Sequence, residues 1–213
     1  MDDPVDSLVE LEGNLRDIAR ANRLFGGISP ISRILRRTGA RSLLDVGCGA
    51  ADVPKALLAS AQKRGRPLAI TCLDRSEQML AIAARDAAGL EFVRGEASNL
   101  PFADGAFDVA VCTLTLHHLA EDDAVRMLRE MRRVSRLTPI VSDLRRSPAA
   151  YLAARAFAGL TSTNRLTRND APASVLRSYT PPEALALAER ADWRRPRVLT
   201  EPWFRMTLVD DGT

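Results

Sequence analysis

Two groups of residues in this 213-residue chain have the types and spacing to do chemistry. One is the histidine pair His117-His118, the only histidines present, with Asp143 further along. Imidazole suits proton transfer near neutral pH, and a carboxylate beside it orients the ring. The other is Asp45-Val46-Gly47-Cys48-Gly49, with Asp52 three residues beyond. The glycines leave the backbone bare and able to turn sharply, so N–H groups can face a ligand. The dinucleotide fingerprint requires a small residue where Asp52 stands, and a carboxylate there repels a pyrophosphate. Asp45 and Asp52 instead put negative charge on both sides of the turn, which suits a ligand carrying an ammonium group. Asp74 follows Asp45 by 29 residues, at the end of another apolar run. A carboxylate so placed can accept both ribose hydroxyl protons of a nucleoside; capping the next helix is the alternative reading.

These residues need elements to hold them. Leu43, Leu44 and Val46 form a buried-strand run that stops at Gly47, and a helical period opens near Asp52 and continues to Arg64, where Gly65 and Pro67 end it. Leu68 to Leu73, Glu91 to Arg94, Phe107 to Cys112 and Thr138 to Ser142 read as four further strands, and Ser76 as the N-cap of the helix after Asp74. Glu121 to Arg136 has a helical stripe at Val125, Leu128, Met131 and Val134. Ser7 to Asn22 and Ile28 to Arg37 read as helices before the first strand, with Gly26-Gly27 as a hinge. Pro148 to Leu160 is apolar all round and must be buried or meet a partner or ligand. Thr161 to Asp170 reads as a loop. Thr180-Pro181-Pro182-Glu183 is a capping box opening a helix to Ala191, and Pro196 to Thr200 and Trp203 to Val209 are the last two strands. Alternating strands and helices imply an α/β fold with helices on both faces of a mostly parallel sheet.

Asp-Val-Gly-Cys-Gly with Asp52, Asp74-Arg75-Ser76, and the run Gly95-Glu96-Ala97 to Leu100-Pro101-Phe102 ending at Phe107-Asp108 resemble the motifs of class I S-adenosylmethionine (SAM)-dependent methyltransferases. Within that family the chain is most similar to small-molecule enzymes of the ubiquinone/menaquinone-biosynthesis and sugar or polyketide O-methyltransferase groups. The resemblance implies a Rossmann-like seven-stranded sheet with the last strand antiparallel and an N-terminal helical cover. It implies SAM as cofactor, S-adenosylhomocysteine (SAH) as product, and no metal. The cofactor residues carried over are Asp45, Gly47, Cys48, Gly49, Asp74, Arg75, Met79, Glu96, Ala97 and Thr113. The family's third glycine is replaced by Ala51, or by Ala50 in other alignments, which would raise the floor beneath the cofactor. Glu96 stands where the family usually has an aspartate. His117 is the expected base, with His118 as its rival and Asp143 orienting the ring or serving instead. Arg20, Asn22 and Phe25 read as lid contacts, the alternative being a helix that merely packs on the sheet edge.

Composition narrows the partners. The net charge is +3, and the paired arginines Arg132-Arg133, Arg145-Arg146 and Arg194-Arg195 read as solvated surface, not as a nucleic-acid stripe. No apolar run is long enough to span a bilayer. The acidic start MDDPVDS has no signal-peptide pattern, so a cytoplasmic protein is expected. Cys48, Cys72 and Cys112 lack metal or disulfide spacing and read as small buried hydrophobes. One domain over 1–213 is expected, with 1–37 as a lid and 144–180 as an insertion that helps form the acceptor pocket. The expected reaction is methyl transfer to a small, partly apolar acceptor, through a hydroxyl of a secondary metabolite or a quinone- or polyketide-like compound, by a monomer or homodimer. Two rivals stand beside it: an RNA or protein methyltransferase, and a non-catalytic SAM-binding accessory protein.

Overall fold

A computed structural model describes residues 8–24, 27–85 and 87–212. Phe25 and Gly26 lie outside the described residues. The strands are β1 (Ser42–Val46), β2 (Ala69–Asp74), β3 (Leu90–Arg94), β4 (Phe107–Thr113), β5 (Ser135–Leu144), β6 (Pro196–Glu201) and β7 (Arg205–Asp210). They form one seven-stranded sheet in the order β3-β2-β1-β4-β5-β7-β6. β1 to β5 are parallel, and β7 runs antiparallel to both β5 and β6. The chain order reverses between β1 and β4, where open α/β sheets leave a crevice at their carboxyl ends.

The pleat sorts the core. Leu43 joins a layer with Ile31, Leu35, Leu57, Ile70, Val111 and Ile140, under helices α2 (Ser29–Thr38) and α3 (Asp52–Gln62). Its neighbour Leu44 points the other way, with Val46, Leu116, Leu128, Met131 and Trp193, under α5 (Glu121–Val134) and α8 (Pro181–Arg190). In α5 three acids fill the first turn and two arginines the last, which complements the helix dipole.

The structure corrects several expectations. β5 starts at Ser135, directly after α5. The Ser135 hydroxyl donates to Met131 O and accepts from Ala110 N, so one side chain both closes the helix and begins the strand. The stretch expected as a loop enters α7 (Arg165–Arg177), whose first turn Asn164 caps by accepting from Leu166 N and Thr167 N. Its polar composition hid it, since only Thr167 and Val175 are buried. β7 begins two residues late, because Trp203 and Phe204 form the hairpin tip with φ of 60° and 58°. Helix α6 (Pro148–Thr161) is not buried all round: Leu152 is 64% and Leu160 87% exposed. Gly27 is a packing position, not merely half of a hinge: a Cβ there would lie 2.6 Å from Arg205 Nη1. Arg132 and Arg133 are not simple solvated surface. Arg132 pairs with buried Asp210 at 3.0 Å, and Arg133 donates to Phe102 O, Leu100 O, Asp104 and Glu130.

Candidate active site

A cavity of about 1050 Å³ opens at the carboxyl ends of β1, β2 and β4, roofed by α1 (Leu8–Leu24), α6, α7 and the β6–β7 hairpin. On one side is the glycine turn. Gly47 has φ 73°, and a Cβ there would meet the Thr115 side chain at 2.7 Å. Thr115 locks the turn by donating to Gly47 O and Thr113 O. Gly49, at φ 52°, has nothing within 4 Å of where its Cβ would be, so the backbone is bare on that side. Ala51 also has positive φ, 57°, but its methyl is wholly buried in the core under α3 and does not line the cavity. The raised floor expected at Ala51 is therefore absent, and Ala50 reaches the cavity instead.

Asp74 links two segments. Its Oδ2 accepts from Gly49 N at 2.8 Å and its Oδ1 from Ser76 N at 2.9 Å. Ser76 then caps α4 (Glu77–Ala84) by accepting from Met79 N. Asp74 is thus both a turn-fixing carboxylate and a cavity residue, and each oxygen keeps a second lone pair for a ligand hydroxyl. Asp45 is 3% exposed, and its Oδ1 has no hydrogen-bond partner among the described residues. Burial, and then the charges of Asp52 and Asp74, push its carboxyl up to about 8. Asp52 accepts from Asn22 Nδ2 at 2.9 Å, and Asn22 Oδ1 accepts from Arg205 Nη2 at 2.7 Å. Arg205 is 4% exposed, and its Nη1 has no hydrogen-bond partner among the described residues.

On the other side, His117 Nδ1 lies 2.6 Å from Asp143 Oδ1. The carboxylate also accepts from His117 N and Leu144 N. Burial alone would raise the Asp143 carboxyl, but the charge and hydrogen bonds of His117, with the N–H of Leu144, hold it below its ordinary range. Asp143 does not line the cavity; it sits behind His117, which does. The His118 ring lies 4.2 Å from that of His117, tilted by 36°.

Asp45, Gly47, Cys48, Gly49, Asp74, Arg75, Met79, Glu96, Ala97 and Thr113 all line this one cavity, with His117, His118, Arg20 and Asn22. Sequence reasoning missed Arg205, Thr115 and the α7 wall at Ser174 and Val175. Arg205 did leave a signal, as the one charge in the run Trp203 to Val209. Among the described residues five non-glycines have positive φ, and three of them, Leu114, Trp203 and Phe204, line the cavity. Such conformations gather at functional sites. No group of three His, Cys, Asp or Glu side chains able to hold a metal occurs among the described residues.

A buried carboxylate with one orphaned oxygen and a buried guanidinium with one orphaned nitrogen border the same cavity. The amino-acid end of SAM carries one ammonium and one carboxylate, so the residues present fit that group. Comparison with known proteins agrees. Residues 43–137 match a family model described as a methyltransferase domain. A demethylmenaquinone methyltransferase of Thermotoga maritima is 36% identical over 105 residues, which cover 49% of this chain and 43% of that protein. The chain thus matches less than half the length of such curated relatives. A SAM-dependent methyltransferase from Aquifex aeolicus superposes with a TM-score of 0.65 at 18% identity, covering 91% of this chain and 94% of that one. Human N-acetylserotonin methyltransferase in complex with SAM gives 0.69 at 14% identity, covering 99% and 61%. In fold, in the motifs around the glycine turn and in the methyltransferase domain matched by residues 43–137, the chain is similar to class I SAM-dependent methyltransferases.

Proposed function

We propose that the chain transfers a methyl group from SAM to a small, partly apolar acceptor bearing a hydroxyl, of the quinone- or polyketide-like kind. The observation that carries this reading is the single cavity that joins the glycine turn to the His117–Asp143 pair under an apolar roof of Ala153, Ala154, Phe157 and Val175. The relatives named as demethylmenaquinone methyltransferases support a quinone-type acceptor.

SAM would supply the electrophilic methyl group, so the protein's task is alignment and proton removal. Asp45 and Asp52 hold the ammonium and Arg205 the carboxylate of the amino-acid end. Asp74 accepts from the ribose hydroxyls, which the turn and α4 have already fixed it to do. Arg75, Met79, Glu96 and Ala97 border the adenine, and Cys48 and Thr113 the link between. His117 takes the acceptor's hydroxyl proton, its ring oriented by Asp143 behind it. The roof, formed by 144–180 with the N-terminal helix, excludes water while the acceptor is held.

Asp74→Ala should weaken SAH by roughly 2–3 kcal/mol, as expected for charged hydrogen bonds. Calorimetry reads this directly, and unchanged affinity removes Asp74 from the site. Labelled SAM with a panel of hydroxyquinones and phenolic polyketides should methylate at least one. SAH binding without turnover on any of them, or on RNA and protein, would support the non-catalytic alternative.

A further inference from the structure

We propose that the outer face of α6 and α7, with the hairpin tip, is a docking surface for an anionic lipid bilayer. It lies on the helices that roof the cavity.

Two independent observations point there. The first is charge. Residues 144–180 carry six arginines, Arg145, Arg146, Arg155, Arg165, Arg168 and Arg177, against one acid, Asp170, a net of +5. The remaining 176 residues carry 24 basic and 26 acidic groups, a net of −2. The positive charge of the chain is therefore concentrated in this segment, where Arg146 pairs with Glu183 just beyond it and the other charges lie on or beside α6 and α7. Asp170 is half-buried and lines the cavity, so it faces inward. Arg155, Arg165, Arg168 and Arg177 are exposed.

The second is apolar exposure. Among the described residues the exposed large hydrophobics are Leu152, Leu160, Leu176 and Trp203, at 64%, 87%, 58% and 64%. Three belong to α6 and α7, and the fourth to the hairpin tip at the cavity's edge. On α6, Leu152, Ala156 and Leu160 recur at helical spacing along one exposed stripe, with Arg155 at its border. On α7, Arg165, Arg168 and Leu176 share the exposed face. The inner face of the same helices, Ala153, Ala154, Phe157, Ala171 and Val175, walls the cavity.

Leucines and a tryptophan bordered by arginines are what an interfacial helix offers: apolar groups enter at the headgroup level while cations meet anionic lipid. A second copy of the chain would bring the four exposed arginines Arg155, Arg165, Arg168 and Arg177 against the same four, which disfavours a homodimer through this face. The proposal goes beyond methyl transfer and does not depend on it, since docking needs neither SAM nor turnover.

The test is sedimentation of the full chain with vesicles, either of phosphatidylcholine alone or with about a third phosphatidylglycerol. Partition should be about tenfold or more stronger on the anionic vesicles and should collapse in high salt. R155E/R168E and L152S/L160S should each reduce it about tenfold, while calorimetric SAH affinity stays at the parent value and shows that the fold is intact. Equal partition on both vesicles, none on either, or no effect of the two double variants overturns the proposal. So does a doubled mass by light scattering that L152S/L160S abolishes, which would make the face a dimer interface.

Discussion

Two buried carboxylates in this site respond to their surroundings in opposite directions, and that difference is measurable. Asp45 is pushed up to about 8, so near neutral pH the ligand-free protein holds its proton. As pH climbs from about 4 towards 8 stability erodes, because this carboxyl ionises in the unfolded chain while the native state keeps its proton. An ammonium ligand needs the ionised form. SAH binding at pH 7 should therefore release close to one proton, read by calorimetry in buffers of different ionisation enthalpy, and affinity should climb with pH until about 8. No proton release would mean that Asp45 does not meet the ammonium. Asp143 is held low, so its contribution is present above the ordinary carboxylate range and is lost as pH falls below it. His117→Gln and Asp143→Asn should each lower turnover about 10²-fold or more while SAH affinity holds. Activity unchanged in both variants would mean that transfer relies on proximity alone. His117→Ala is the poorer probe, since it strands a buried carboxylate at a cost of about 3–5 kcal/mol.

At the level of elements, α1 is tied to α6 and α7 within the roof by a small polar cluster. Asp17 of α1 accepts from Ser162 Oγ at 2.5 Å and from Thr167 Oγ1 at 3.0 Å, and Thr167 also reaches Asn14 Oδ1. Asp17→Ala removes the shared acceptor. Amide exchange in α1 and at the start of α7 should then speed up about tenfold or more, with the sheet's protection unchanged. If only global exchange changes, the cluster is part of the core and not a latch. How legible these elements were follows from their physics. The sheet announced itself because its strands are buried runs cut off by glycine or aspartate, and α5 because its stripe is clean. The side of the cavity around the glycine turn was legible for the same reason, since Gly47 and Asp74 sit where apolar runs end. α7 was not, because a helix that buries only Thr167 and Val175, and has Pro172 inside it, has no apolar period to detect. Arg205 escaped because its role depends on β7 lying beside β5, a pairing of distant segments. The pairing of His117 with Asp143 was inferable only once β4 and β5 were taken as neighbours.

Across the whole molecule, the sheet's order brings the glycine turn, the histidine segment and the roof to one end, while the opposite end carries pins such as Asp108, which accepts from Arg41 N, Ser42 N and Arg136. The hairpin that closes the chain's last strand pair belongs to the functional end, and its tip is built against ordinary preference. A tight hairpin that needs two positive φ values is best served by Asn-Gly, and this chain has Trp203 and Phe204 there. Left-handed backbone costs such residues on the order of 1–2 kcal/mol each. Trp203→Asn should thus raise the melting temperature by about 2–4 °C, through roughly 1 kcal/mol of relief, while enlarging the cavity's rim and weakening acceptor affinity. A melting temperature that falls would show that the indole's packing outweighs the strain. The hairpin then sets durability against use. Laboratory selection for heat resistance alone should exchange this tip early, and the winners should be sturdier proteins with a poorer grip on what they methylate.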